Sequence, residues 1–228
     1  MLQYEIKGED LPVLICYPQR GQTICCESGG MSWASLGMEM ETKAGGLGKM
    51  FGRAFTGESI FLNEYTAKND GEFIAFASSF PGSIMPFYIN PKNGIIVQKR
   101  SFLAMEKGLE LSTFFQKKIG AGLVGGEGFI LQRITGENGI AFIEVDGSCI
   151  EYDLQPGQKI IVSTGHLAAM SDSCSIDVQM VKGVKNMVFG GEGLFNTVIT
   201  GPGKVYLQSM PVYNVAKAIQ PYIVTHTN

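Results

Sequence analysis

Gly57-Glu58-Ser59-Ile60-Phe61-Leu62, Gly126-Glu127-Gly128-Phe129-Ile130-Leu131 and Gly191-Glu192-Gly193-Leu194-Phe195-Asn196 are three versions of one block. Their glutamates stand 69 and 65 residues apart. A near-constant step of this size is the mark of one supersecondary unit used repeatedly. Upstream lies a second matching block: Gln22-Thr23-Ile24-Cys25-Cys26-Glu27-Ser28, Asn93-Gly94-Ile95-Ile96-Val97-Gln98-Lys99 and Gln158-Lys159-Ile160-Ile161-Val162-Ser163-Thr164. From Ile24, Ile95 and Ile160 to the matching glutamates the gaps are 34, 32 and 32 residues. Downstream comes a glycine turn (Asp70-Gly71, Asn138-Gly139, Pro202-Gly203) and then an apolar run: Phe73-Ile74-Ala75-Phe76, Ala141-Phe142-Ile143 and Val205-Tyr206-Leu207. Three blocks in one order at one spacing predict three repeats, at about 1–72, 73–141 and 142–209, followed by a short tail at 210–228. No proline- or serine-rich linker divides them, so residues 1–228 are expected to form one compact domain. A unit of about 65 residues is marginal alone. Packing the three copies around a pseudo-threefold axis is the expected solution.

The fold class follows from the punctuation between the blocks. Short apolar runs recur every eight to twelve residues, separated by glycine, proline or asparagine, which is the pattern of an all-β protein. Val13-Leu14-Ile15-Cys16-Tyr17 sits between Pro12 and Pro18. Ile140 to Val145 runs into Asp146-Gly147, a hairpin signal. Ile150-Glu151-Tyr152-Asp153-Leu154 alternates as a half-buried strand should. Thirty glycines in 228 residues, about 13% against a usual ~7%, belong to turns and close backbone approaches. Helix is expected only as a short tail element near Val212–Ile219, limited by Pro211 and Pro221, and as a second piece at 109–118. Antiparallel β units joined by tight turns are therefore the predicted architecture.

Composition narrows the functions. A net charge of −3 offers no footprint for nucleic acid, which a phosphate-tracking protein needs. The start, Met1-Leu2-Gln3-Tyr4-Glu5-Ile6, has no basic segment and no long apolar run, so no secretory signal is read there. No stretch approaches the ~18 apolar residues of a membrane-crossing helix. Five cysteines at irregular spacing (Cys16, Cys25, Cys26, Cys149, Cys174) fit no metal pattern and suit a reducing, cytoplasmic compartment. Cys25 and Cys26, adjacent on a strand, are expected on opposite faces, one in the core and one exposed or at an interface.

Chemistry is sparse. Glu58, Glu127 and Glu192 each follow a glycine and are expected to open a strand. A carboxylate there can act as a base or a ligand, or accept hydrogen bonds from turn amides. Threefold repetition favours the structural role, because catalytic sites are usually asymmetric. His166 is the only histidine away from the C-terminus, and its nearness to Ser163, Thr164 and Ser171 raises a hydrolase dyad only weakly. No catalytic, cofactor-binding or metal-binding residue is assigned. The stretches before the three glutamates combine glycine, lysine and bulky apolar residues. None matches the phosphate-binding pattern G-x-x-x-x-G-K-[S/T]. They place Met50, Phe51 and Phe55, then Leu123 and Val124, then Val188 and Phe189, at matching positions, with Lys49, Arg53, Lys118 and Lys185 nearby. These residues are either core or interaction loops for a subunit, a protein partner or a membrane surface. Burying ~100 Å² of apolar surface is worth on the order of 2.5 kcal/mol, so two exposed phenylalanines supply an anchor. Trp33, the only tryptophan, is either a contact anchor or a cap on the core.

Gly29-Gly30-Met31-Ser32-Trp33, the Gly-Glu-Ser-Ile-Phe-Leu block at Gly57 and the Gly-Glu-Gly blocks at Gly126 and Gly191 resemble the altered-inheritance-of-mitochondria protein 24 family over nearly the whole chain. The resemblance implies a fold similar to the tryptophan RNA-binding attenuation protein, with β modules duplicated within one chain. It brings no catalytic residue with it. Mitochondrial members are linked to inner-membrane organisation; the absence of a transit segment here points to a prokaryotic, cytoplasmic member. RNA binding does not follow from the likeness of fold, since the chain is acidic. The reading that results is a non-enzymatic, homo-oligomeric interaction or scaffold protein. A small-molecule or nucleotide site between repeats is the alternative.

Overall fold

The computed structural model describes residues 2–44, 61–117, 129–180 and 195–223. Val13–Tyr17 shows how its strands form. Pro12 and Pro18 bracket a run of branched and aromatic residues that fits a pleated, half-buried surface. Within it Leu14 and Cys16 are fully buried while their neighbours are half-exposed.

Nineteen strands are present among the described residues. The first seven are β1 (Gln3–Lys7), β2 (Val13–Tyr17), β3 (Thr23–Glu27), β4 (Trp33–Ala34), β5 (Met38–Ala44), β6 (Phe61–Ala67) and β7 (Ile74–Ala77). The next six are β8 (Gly82–Ile89), β9 (Ile95–Gln98), β10 (Phe102–Glu106), β11 (Leu109–Lys117), β12 (Phe129–Gly136) and β13 (Gly139–Asp146). The last six are β14 (Cys149–Leu154), β15 (Lys159–Ser163), β16 (Leu167–Ser171), β17 (Ser175–Met180), β18 (Phe195–Thr200) and β19 (Gly203–Gln208). The helix α1 (Val212–Ile219) follows, where the two prolines of the tail confine it.

All strand pairs between these elements are antiparallel. They form four sheets, ordered β1-β2-β7-β4, β5-β6-β3-β10-β13-β8, β11-β12-β9-β16-β19-β14 and β15-β18-β17. Raising each strand number of the second sheet by six gives the order of the third. The sheets stack through three cores. The first joins Leu14, Cys16, Ile74 and Phe76 of the first sheet to Ile24, Cys26, Tyr65 and Phe142 of the second. The second core joins Cys25, Met105 and Ile143 to Ile95, Val97 and Ala169. The third joins Ile96, Met170 and Val205 to Val162, Val178 and Ile199.

The two middle sheets are therefore covered on both faces at their centres, where β13 reads as a nearly continuous apolar run. Every residue from Ile140 to Val145 is buried. The same cause corrects the expectation for the cysteine pair. Cys25 and Cys26 do point to opposite faces, yet both are buried, one in the second core and one in the first.

Two further expectations are corrected. The piece at 109–118 is strand over its described part, β11; a register shift between Thr113 and Phe115 breaks its alternation and brings Phe114 and Phe115 to the third core. Asp146-Gly147 does not close a hairpin. Both edges of β13 are occupied, by β8 and β10, so the turn carries the chain into the third sheet, where β14 pairs with β19. β14 is the outer strand there, and Ile150 and Tyr152 stay exposed while Leu154 is buried. The repeat limits drawn at 72/73 and 141/142 fall before β7 and inside β13.

Candidate interaction surface

The residues expected to carry contacts (Met50, Phe51, Phe55, Leu123, Val124, Val188 and Phe189) lie outside the described residues, as do Glu58, Glu127 and Glu192. Their places in the chain are nevertheless defined by the strands around them. Ala44 lies opposite Phe61, Lys117 opposite Phe129, and Met180 opposite Phe195. In sequence the stretches 45–60, 118–128 and 181–194 follow β5, β11 and β17 and precede β6, β12 and β18, strands that pair β5 with β6, β11 with β12 and β17 with β18.

Several polar groups bordering the clefts and cores are engaged in holding the fold. Glu72 accepts hydrogen bonds from Ser35, from the backbone N–H of Gly37 at 3.2 Å and from Asn69 at 3.1 Å. The Ser35 hydroxyl, then the Asn69 amide, hold its carboxyl below the usual range. Glu72 lines an open cleft of about 610 Å³ with Gln3, Tyr17, Gln19 and Asp70. Asp70 accepts from the Arg20 N–H at 2.9 Å. A second cleft, about 240 Å³, is bordered by Thr23, Glu106 and Lys107. There Glu106 accepts from the Ile140 N–H at 2.9 Å and Lys107 pairs with Glu64 at 2.9 Å. Glu144 is buried and accepts from the Ser79 N–H at 2.8 Å, the Ser79 hydroxyl at 2.6 Å and the Ser78 hydroxyl at 3.0 Å.

His166 is a clip, not half of a dyad. Its Nδ1 lies 2.8 Å from the carbonyl oxygen of Gln208. A carbonyl only accepts, so Nδ1 carries the proton and Nε2 accepts from the Asn214 amide at 3.2 Å. The ring ties α1 to the end of β19, and the neighbouring serines are not its partners in these bonds. All five cysteines are free thiols; burial pushes the Cys26 thiol up to about 12, far from the thiolate form that reacts. Among the described residues no group of three or more His, Cys, Asp or Glu side chains is placed to hold a metal ion. No described helix is long and apolar enough to cross a membrane.

Apolar side chains mark the surface instead. Trp33 on β4 is 46% exposed and Ile161 on β15 is 69% exposed, with Leu36 and Met40 exposed beyond β4. Trp33 had stood out in the sequence as an anchor or a cap, and half of it faces solvent. Ile161 had not stood out. The signal for it was its place in the third copy of a block whose first two copies carry Cys25 and Ile96.

Fold and surface together define an all-β stack of antiparallel sheets, with Glu72, Glu144 and His166 in structural bonds and Trp33 and Ile161 exposed on the two end sheets. The family model "Mitochondrial biogenesis AIM24" matches residues 4–210, and the chain belongs to that family. An uncharacterised protein of Streptococcus pyogenes serotype M6 is 26% identical over 218 residues, spanning 92% of this chain and 86% of the relative. A crystal structure of a Streptococcus pyogenes protein superposes with a TM-score of 0.79 at 22% identity, covering 98% of this chain and 100% of that one, which shows a shared fold.

Proposed function

We propose that this protein is a non-enzymatic scaffold built from three copies of one six-strand unit, each copy presenting a glycine-rich apolar loop to a protein partner or a membrane surface. The carrying observation is the strand order, which advances by six from the second sheet to the third. On that reading the copies run from β2 to β7, from β8 to β13 and from β14 to β19. The loops then fall between the fourth and fifth strands of every copy. Of the three joints that a pseudo-threefold arrangement needs, two are made inside the chain, β3 to β10 and β9 to β16. The engagement of His166, Glu72 and Glu144 in the fold supports a role without catalysis. A cytoplasmic, homo-oligomeric protein fits the same reading.

The test is the double variant Phe51→Ser, Phe55→Ser, compared with the wild type by flotation with vesicles of mixed neutral and anionic lipid and by sedimentation. Weakened vesicle attachment or weakened assembly, with an unchanged melting curve, is the expected result. Unchanged behaviour in both assays discards the loop role, and loss of folding assigns these residues to the core. A stoichiometric small molecule retained in the native mass spectrum would favour the binding-protein alternative.

A further inference from the structure

The larger of the two clefts, about 610 Å³, lies against β1, the end of β2 and the turn between β6 and β7. Among the described residues two of these walls have no counterpart elsewhere in the molecule. β1 pairs with β2, whereas β8 and β14, the strands at the corresponding places, are outer strands of their sheets. The connection from β6 to β7 takes six residues, 68–73, while those from β12 to β13 and from β18 to β19 take two each, 137–138 and 201–202. That correspondence rests on the three-copy reading above; the cleft itself does not. The longer turn is also fastened. Glu72 is bound to Ser35, to the Gly37 N–H and to Asn69, and Asp70 to the Arg20 N–H. The wall is therefore fixed before any ligand arrives.

The chemistry of the lining narrows the ligand. Tyr17 and Pro18 supply a phenol ring and a pyrrolidine ring, both apolar on their faces. Gln3 and Gln19 supply amides, which donate and accept. Among the described residues neither of these side-chain amides, nor the Tyr17 hydroxyl, has a hydrogen-bond partner. No lysine, arginine or histidine lines the cleft. Lys7 on β1 and Lys68 in the turn are paired with Glu5 at 2.8 Å and Glu39 at 3.0 Å. A phosphate or a nucleotide would therefore find no cation waiting for it. Asp70 and Glu72 already accept from protein donors, so an organic cation would compete with the bonds that hold the turn. The capacity left open is mostly neutral: two amides, a phenol and the second oxygen of Asp70. Groups of this kind beside flat apolar faces suit a ligand that is hydroxylated at its rim and C–H on its face, which describes a sugar ring.

We propose that this cleft is a binding site for a neutral saccharide. Tyr17 and Pro18 lie against the C–H face of a sugar ring, and Gln3, Gln19 and the free oxygen of Asp70 take its hydroxyls. The volume falls within the ~300–1,000 Å³ of small-molecule sites. The cleft is open and its glutamines are exposed, so binding is of the weak, readily reversible kind. The site is separate in sequence from the glycine-rich loops, and a scaffold can carry both.

The experiment is a titration of the isotope-labelled full chain, read by amide chemical shifts. The probes are neutral oligosaccharides of glucose, galactose, mannose and N-acetylglucosamine, with spermidine and inorganic phosphate as the rival chemistries. At millimolar concentration at least one oligosaccharide should shift the amides of Gln3, Gln19 and Gly71. Its affinity should fall about tenfold in the double variant Gln3→Ala, Gln19→Ala and again in Tyr17→Leu. Both glutamines are exposed, so the double variant keeps its fold and decides the matter alone if Tyr17→Leu does not. The proposal is overturned if no oligosaccharide shifts these amides, if the shifts fall elsewhere, or if the double variant binds as the wild type does. It is overturned equally if spermidine or phosphate occupies the cleft more tightly than every sugar. The loop variant Phe51→Ser, Phe55→Ser should bind the sugar unchanged, so a failed loop function and a failed saccharide site give different results.

Discussion

Single carboxylates show how far this molecule spends polar groups on its own fold. Glu144 is buried on β13 and receives three hydrogen bonds from Ser78 and Ser79, the residues that lead from β7 toward β8. Glu144→Ala removes the acceptor of these bonds; Ser79 is itself exposed and can turn to water, so the loss should be about 0.5–1.5 kcal/mol, the net worth of one hydrogen bond. Urea denaturation should show that loss as a lower midpoint. Asp146, two residues on, behaves oppositely to most carboxylates. Burial pushes its carboxyl up, against the pull of the Val212 N–H. A raised folded value means that the folded state holds the proton more tightly than the unfolded one. The contribution is then fully present below the unfolded value and is lost as pH rises through the folded value. Asp146→Asn should flatten the fall in stability over that acid range, read from urea midpoints measured across it.

At the scale of elements, β8 and β13 show what a glycine contributes by lacking a side chain. Gly82 begins β8 opposite Asp146, and a methyl group there would run into the Val145 carbonyl and stand 2.9 Å from the Gly147 nitrogen. Backbone cannot swing aside as a flexible side chain can. Gly82→Ala should therefore cost about 1–3 kcal/mol, as overpacking does. Gly165 is the control: its added methyl meets only Pro211, at 3.6 Å, and its substitution should stay within about 0.5 kcal/mol. Thermal melting of the two variants checks the contrast.

Across the whole molecule, the cores are shared between strands far apart in the chain. Phe142 on β13 is fully buried in the first core and meets Tyr4 edge-to-face, ring centroids 4.9 Å apart. Phe142→Ala should cost about 3–5 kcal/mol, measured by denaturant titration, although the residue lies far along the chain from the β1–β7 strands that form most of that core. A stack of this kind has two ends, and its interior sheets are stable because each face meets a core. The end sheets meet one core each, which is why Trp33 on β4 and Ile161 on β15 face solvent.

What lay within reach of one neighbourhood of residues was legible in the sequence. The prolines around Val13–Tyr17 bounded β2, and those at 211 and 221 confined α1. Alternation, turn chemistry and proline geometry are local, so they survive without knowledge of partners. Only the tertiary structure decided that Asp146-Gly147 joins two sheets instead of closing one hairpin, that Leu109–Lys117 is a strand, and that Cys25 and Cys26 are both buried. The same holds for Ile161, which shares a sequence block with Ile96 yet faces water. These outcomes depend on which distant strand covers a given face, and burial is a property of that pairing, set by the stacking of whole sheets.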